Sequence, residues 1–213
     1  MPILERYEAA PLPYALHLPK GDSPPGGWPL VLFLHGGHGN PAYKPTDVGL
    51  GPAIRAQPGH WPAVVAFPRA LVGVSWRDAG LLEQAYQLLG DLEAEYRTDP
   101  ARVYLTGLSS GGAGTWKLGC RYPERFAALL PICGGHDPFE VEGRLGRKPA
   151  WVFHGDADDV VPVSYARAAV DALRTAGSTR YRYTELAGVG HECWNQAYGN
   201  PDVVAWLFAQ SLQ

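Results

Sequence analysis

The stretch Val103-Tyr104-Leu105-Thr106-Gly107-Leu108-Ser109-Ser110-Gly111-Gly112 constrains this chain more than any other. A short apolar run ends at a glycine, a serine follows two residues on, and a second glycine opens a segment whose later residues, Thr115 to Cys120, suit a helix. Strand, sharp turn and helix put the serine in a strained backbone, and the flanking glycines leave room where side chains would collide with the neighbouring strand and helix. A serine held there points out of the end of a sheet. Gly-x-Ser-x-Gly also describes an ordinary glycine turn, so its meaning depends on the partners the rest of the chain supplies.

Around this turn, signals for buried strands and for helices alternate. Pro29 to Leu34, Ala63 to Phe67, Phe126 to Ile132 and Ala150 to His154 are largely apolar runs of strand length, as expected where both faces are covered. Thr179 to Leu186 is a further strand of β-branched and aromatic residues, and residues 7 to 18, with two prolines, read as edge strands. Residues 46 to 57 suit a short helix. Leu81 to Tyr96 places Leu82, Ala85, Tyr86, Leu89, Leu92 and Tyr96 at helical spacing. Tyr165 to Ala176, closed by Gly177, and Val203 to Leu212 complete the helices. Such alternation, at spacings too long for hairpins, implies an α/β fold with a mainly parallel central sheet and helices on both faces. No repeat or composition break divides the chain, so residues 1–213 read as one domain.

The 213 residues are 46% apolar, enough for a continuous core, and the net charge of −3 gives no basic footprint for nucleic acid or an anionic membrane. The apolar runs fall far short of the roughly 20 residues that cross a bilayer. A small-molecule partner is therefore expected, and the sequence is silent on oligomeric state. The N-terminus lacks a basic stretch followed by an apolar one, and the cysteines, Cys120, Cys133 and Cys193, are an odd count. Both point to a reduced, cytoplasmic setting. Cys133 and Cys193 fall in loops at the same sheet edge, which leaves a disulfide between them as an alternative.

A serine hydroxyl is a weak nucleophile at neutral pH and needs a base within reach and an acid to orient that base. His191 lies in Gly188-Val189-Gly190-His191-Glu192-Cys193-Trp194, between the last strand and the last helix. It is the expected base. The loop His154-Gly155-Asp156-Ala157-Asp158-Asp159-Val160-Val161-Pro162 offers three aspartates. Asp158, in the loop interior, is the expected acid, with Asp156 free to brace the turn and Asp159 to face solvent. All three serving only as turn residues is the competing reading. The order Ser, Asp, His is that of one hydrolase type and differs from other serine hydrolases. Developing negative charge on a substrate oxygen needs aimed donors, expected from the amides of Ser110 and Gly37. His38, Trp76 and Trp194 lie near these loops as candidate substrate contacts, although packing is the alternative for the tryptophans. No cofactor is expected, and no metal. The glycines around His35 and His38 argue against a helical ligand pair, and His191-Glu192-Cys193-Trp194-Asn195 stops short of H-E-x-x-H.

Leu34-His35-Gly36-Gly37, Gly107-Leu108-Ser109-Ser110-Gly111-Gly112, Cys133-Gly134-Gly135, His154-Gly155-Asp156-Ala157-Asp158-Asp159-Val160-Val161-Pro162 and Gly190-His191 together resemble the α/β-hydrolase superfamily over essentially the whole chain. Within it the chain is similar to small bacterial carboxylesterases of the phospholipase/carboxylesterase and predicted-peptidase group. These are relatives of acyl-protein thioesterases, feruloyl esterases and polyhydroxybutyrate depolymerases. The resemblance places the acid of G-x-x-D-x-x-V-P on Asp158. Many such relatives carry Met where this chain has Ser110, which makes the pocket more polar. Dienelactone hydrolases, another similar branch, use Cys where Ser109 stands. Larger relatives insert a cap between the Ile132 and Trp151 strands, but here only Cys133 to Ala150 lie between, too few for a lid. The resemblance implies a serine carboxylesterase with an open site, acting on short-chain or aryl esters through an acyl-enzyme. A serine peptidase or thioesterase, or a catalytically silent scaffold used for binding, are the alternatives.

Overall fold

Alternate residues of strand β3 (Trp28–Leu34) join two different buried clusters, Leu30, Leu32 and Leu34 on one side and Val31 and Phe33 on the other. Successive side chains of a strand point to opposite faces, so a strand covered on both sides has no polar face. Strand β4 (Val64–Pro68) divides its residues in the same way, Val64 and Ala66 against Val65 and Phe67. The computed structural model describes residues 4–6, 12–37 and 44–212. Strands β1 (Leu4–Arg6), β2 (Tyr14–His17), β5 (Thr98–Leu108), β6 (Ala128–Ile132), β7 (Ala150–Gly155) and β8 (Tyr181–Leu186) complete one eight-stranded sheet in the order β1-β2-β4-β3-β5-β6-β7-β8. Every pair from β4 to β8 is parallel, and β2 is antiparallel to both of its neighbours.

One face carries α2 (Ala79–Glu95), α3 (Ser110–Arg121), α4 (Pro138–Leu145) and α5 (Ser164–Thr175), whose buried residues share one cluster. The other carries α1 (Leu50–Ala56), α6 (Trp194–Tyr198) and α7 (Pro201–Phe208). The expected mainly parallel sheet with helices on both faces is therefore present. Among the described residues no helix is long and apolar enough to cross a membrane.

The boundaries differ from expectation where capping decides them. The last helix starts at Pro201 and ends at Phe208 instead of spanning Val203 to Leu212. Asn200 accepts from the Asp202 amide, and proline at the first helical position needs no partner for its missing N–H. Beyond the helix the chain returns to the sheet, where the Leu212 amide donates to the Ala101 carbonyl at 2.9 Å. Asp137 and Pro138 start α4 by the same chemistry, in a stretch with no sequence-expected helix. Of the segment read as edge strands, Tyr14–His17 forms β2, and residues 7–11 lie outside the described ones.

The register of the central strands places the loops that matter. β3 pairs Leu34 with Gly107 of β5, so residues 36 and 37 emerge beside residues 109 and 110. β5 pairs Leu108 with Ile132, which brings Cys133 beside Ser109. This is where strand order reverses, since β3 is followed in sequence by a strand on one side and then by one on the other. Helix α3 then descends onto the sheet at van der Waals distance. A Cβ at Gly111 would strike the Leu34 carbonyl, and one at Gly112 the Ile132 carbonyl. Replacing Gly111 with Ala should therefore lower stability by about 3 kcal/mol. Thermal denaturation checks this, and an unchanged melting temperature would refute the packing argument.

Candidate active site

Ser109 adopts φ 55° and ψ −120° between β5 and α3, a region non-glycine residues rarely enter. Such a conformation costs about 1–3 kcal/mol and persists only where its surroundings fix it. Here they do. The Ser109 amide donates to the Ile132 carbonyl at 2.9 Å with Cys133 Sγ at 3.3 Å, and its carbonyl accepts from the Ala113 amide at 3.0 Å. The turn sends Oγ toward the far side of the sheet edge, where His191 Nε2 lies 2.9 Å away. His191 Nδ1 lies 2.7 Å from Asp158 Oδ2. An imidazole between a hydroxyl and a carboxylate is best served by a proton on Nδ1, donated to the carboxylate, and a lone pair on Nε2.

Asp158 anchors this chain of contacts. Its side chain is buried, and Oδ1 accepts from the amides of Val160 and Val161 at 2.9 and 2.8 Å. Burial alone would push its carboxyl up, but the hydrogen bonds from His191, Val161 and Val160 outweigh burial and hold it below the usual carboxylate range. Oδ2 also meets Nε2 of the fully buried His154 at 3.1 Å, and the same nitrogen donates to the Val161 carbonyl at 2.8 Å. His154 was not singled out from sequence. Its position four residues before Asp158, at the end of an apolar strand, is the signal that marks it.

The two supporting loops are pinned to each other. Asp156 braces the turn before His191 by accepting from the Gly188 amide at 2.6 Å, and the Ala157 amide donates to the Val189 carbonyl at 3.1 Å. Gly155 has no room for a Cβ because the Val189 and Gly190 carbonyls press on it. Asp159 is exposed. Both aspartates thus do what their loop positions led us to expect.

Gly37 is exposed, with φ 77°, and its carbonyl accepts from Ser110 Oγ at 2.7 Å. Ser110 therefore ties the glycine loop to the serine turn, a contact that methionine at this position could not make. The Ser110 amide sits at the first position of α3, where a helix leaves N–H groups without internal partners. His35 holds the loop from beneath. Its Nε2 accepts from the Ala70 amide at 3.0 Å, which fixes the proton on Nδ1 for donation to the Gly36 carbonyl at 2.7 Å. Both ring nitrogens are thus engaged within the protein.

Two expected substrate contacts need correction or restriction. Trp76 is fully buried, packed edge-on against His35 with ring centroids 5.3 Å apart and lying against Gly114 of α3, so it belongs to the core and not to an open pocket. His38 lies outside the described residues. Trp194 is nearly buried and stands edge-on to His191 with ring centroids 5.8 Å apart. Cys133 and Cys193 are free and buried, and the contact with Cys193 together with burial pushes the Cys133 thiol up. A groove of about 620 Å³ begins at Ala113, one helical turn from Ser109, and is walled by Arg77, Lys117, Gly135, His136 and Tyr165.

No protein-family model matches the chain. It is 30% identical over 224 residues to a poly(3-hydroxyoctanoate) depolymerase of Pseudomonas fluorescens, covering 90% of this chain and 77% of that one. The chain belongs to the α/β-hydrolase family of esterases and depolymerases. Its enzyme class is that of the carboxylic ester hydrolases. The bifunctional acetylxylan esterase/xylanase XynS20E of Neocallimastix patriciarum is 30% identical over 143 residues, 62% of this chain and 20% of that protein. Among solved structures, a thermostable esterase is 37% identical with a TM-score of 0.85, over 94% of this chain and 59% of its own. The chain thus spans 59% of the thermostable esterase and 20% of the acetylxylan esterase/xylanase, less than two thirds of each.

In this family member the glycine loop depends on a neutral imidazole. Burial, and next to it the Arg69 charge, outweigh the hydrogen bond to Gly36 and bring His35 down to about 4. The unfolded chain binds that proton near pH 6.5 and the folded one does not, so the contribution is complete above pH 6.5 and is lost as pH falls toward 4. Stability should decline by up to about 1.4 kcal/mol per pH unit across that window. Denaturant unfolding at several pH values checks this, with His35→Gln expected to flatten the slope.

Proposed function

We propose that the chain is a serine carboxylesterase working through Ser109, His191 and Asp158 by way of an acyl-enzyme. The observation that carries this reading is the hydrogen-bonded series from Ser109 Oγ through His191 to Asp158, beginning at a serine held in a strained turn. His191 Nε2 takes the hydroxyl proton as Ser109 Oγ attacks the ester carbonyl, and the imidazolium that forms is stabilised by the Asp158 carboxylate. The amides of Gly37 and Ser110 stabilise the oxyanion, each such donor being worth about 3 kcal/mol in comparable enzymes. His191 then gives its proton to the leaving alcohol. A water deprotonated by His191 attacks the acyl-serine and releases the acid.

Substrate choice follows from what does not cover the site. Among the described residues the connection from β6 to β7 holds only α4, eight residues long, too short to serve as a lid over a long acyl chain. The relatives are named for esters borne on polymers, poly(3-hydroxyoctanoate) and acetylxylan. A short-chain or aryl ester protruding from a larger molecule fits an open edge, with the groove at Ala113 and Tyr165 available for the part beyond the ester. The edge-on position of Trp194 against His191 supports reading it as a substrate contact.

A fluorophosphonate should label Ser109, and Ser109→Ala should abolish labelling and lower kcat by at least roughly 10⁴-fold. Asp158→Asn should cost on the order of 10⁴ in kcat with the fold intact. Full turnover in Ser109→Ala would sink the assignment, and labelling without turnover of any ester would favour a binding scaffold. Across p-nitrophenyl esters, acetate and butyrate should be hydrolysed faster than palmitate. Thioester and amide analogues in the same panel separate the esterase from a thioesterase or peptidase, and a preference for palmitate would overturn the open-site reading.

A further inference from the structure

We propose that Cys120, His136 and Glu140 form a site for a thiophilic divalent cation, with zinc as its probe, between the serine-bearing helix α3 and helix α4. Among the described residues, these three bring a sulfur, a ring nitrogen and a carboxylate oxygen within 4.8 Å of one another. Cys120 comes from the last turn of α3, while His136 lies in the loop just before α4 and Glu140, four residues on, in its first turn. His136 Nε2 and Glu140 Oε2 are already 2.7 Å apart. A zinc ion with sulfur at about 2.3 Å and nitrogen and oxygen at about 2.0–2.2 Å holds tetrahedral ligands on the order of 3–4 Å apart. The pair need open only slightly, and Glu140, whose side chain is largely exposed, has the freedom to do so.

The charges fit as well. The carboxylates of Glu140 and Asp137 lie near the buried Cys120 thiol, with the Arg144 charge of opposite sign. A carboxylate beside a buried thiol is unfavourable for the thiolate alone, and a divalent cation reverses that. On binding, the thiol proton leaves to solvent and the proton on His136 Nε2 is exchanged for one on Nδ1, which frees the Nε2 lone pair. Thiolate and carboxylate then neutralise the two positive charges, and one proton is released per ion. The ion reaches the site from solvent, since Glu140 is exposed and His136 lines the groove beside α3. A water completes the fourth position, as in sites with three protein ligands. Bound in this way, the ion fastens α4 to the helix that carries the serine turn.

The test uses the full chain, stripped with a chelator and titrated with zinc chloride by calorimetry in two buffers of different ionisation heat. One ion per chain, with about one proton released, is expected. Cobalt chloride should give a thiolate-to-cobalt charge-transfer band in the near ultraviolet. Zinc should raise the melting temperature of the parent protein. Cys120→Ser should abolish the band and weaken binding by more than roughly 100-fold, beyond what outer partners of a metal site are worth. Glu140→Gln, an exposed change, should retain the band and weaken binding by at least roughly tenfold. Absence of stoichiometric binding, or binding that neither substitution alters, would overturn the site. Ester hydrolysis by each variant monitors the fold, because neither residue belongs to the catalytic machinery.

Discussion

No atom larger than hydrogen fits on Gly111, because the carbonyl oxygens of Leu34 and His35 press against it. That contact sets how closely α3 approaches β3 and β5, and the remaining site geometry follows from it. A helix held so close leaves too little chain for a relaxed turn, so Ser109 takes a positive φ and its side chain is forced out over the sheet edge. The same approach brings Ser110 within hydrogen-bond distance of the Gly37 carbonyl. One steric constraint thus positions both the hydroxyl and the loop proposed to hold the oxyanion, and it does so through backbone atoms that cannot adjust rotamers.

Polar groups at this edge are fixed by being satisfied from several directions. Asp158 meets two amides and two imidazoles, and the hydrogen bonds from His191, Val161 and Val160 favour its charged form against the cost of burial. His35 is held in its neutral form by the opposite balance, with a donor and an acceptor on its two nitrogens and desolvation against charge. One buried group stays ionised and another stays neutral for the same reason, the partners available in a low-dielectric setting.

Much of the fold was legible because its strands are covered on both faces. Pro29 to Leu34 and Ala63 to Phe67 had no polar residue to confuse the reading, and the structure splits their side chains between two core layers. Boundaries were less legible where a cap outweighed periodicity. Asn200 and Pro201 moved the start of the last helix earlier, and Asp137 and Pro138 made a helix in a short stretch whose apolar spacing is carried only by the pair Val141 and Leu145. Trp76 misled for a different reason. Its loop runs toward the site, but its ring turns inward beneath α3, and side-chain direction in a loop has no periodicity to reveal it.

The sequence by itself determined the α/β layering, the serine turn and the loops holding Asp158 and His191, because these depend on local chemistry: apolar strands, close-packed glycines and short turns. The tertiary structure alone decided which groups meet across the sheet edge. Strand register set the Ser110 contact to Gly37 and placed Cys133 beside the Ser109 amide, while His154 reached Asp158 through a turn whose shape no spacing specifies. It also brought Cys120 of one helix to His136 just before another and Glu140 in its first turn, although they are separated by a strand and its turns. Contacts of that kind depend on how rigid elements pack, and packing is a property of the whole chain that no local pattern records.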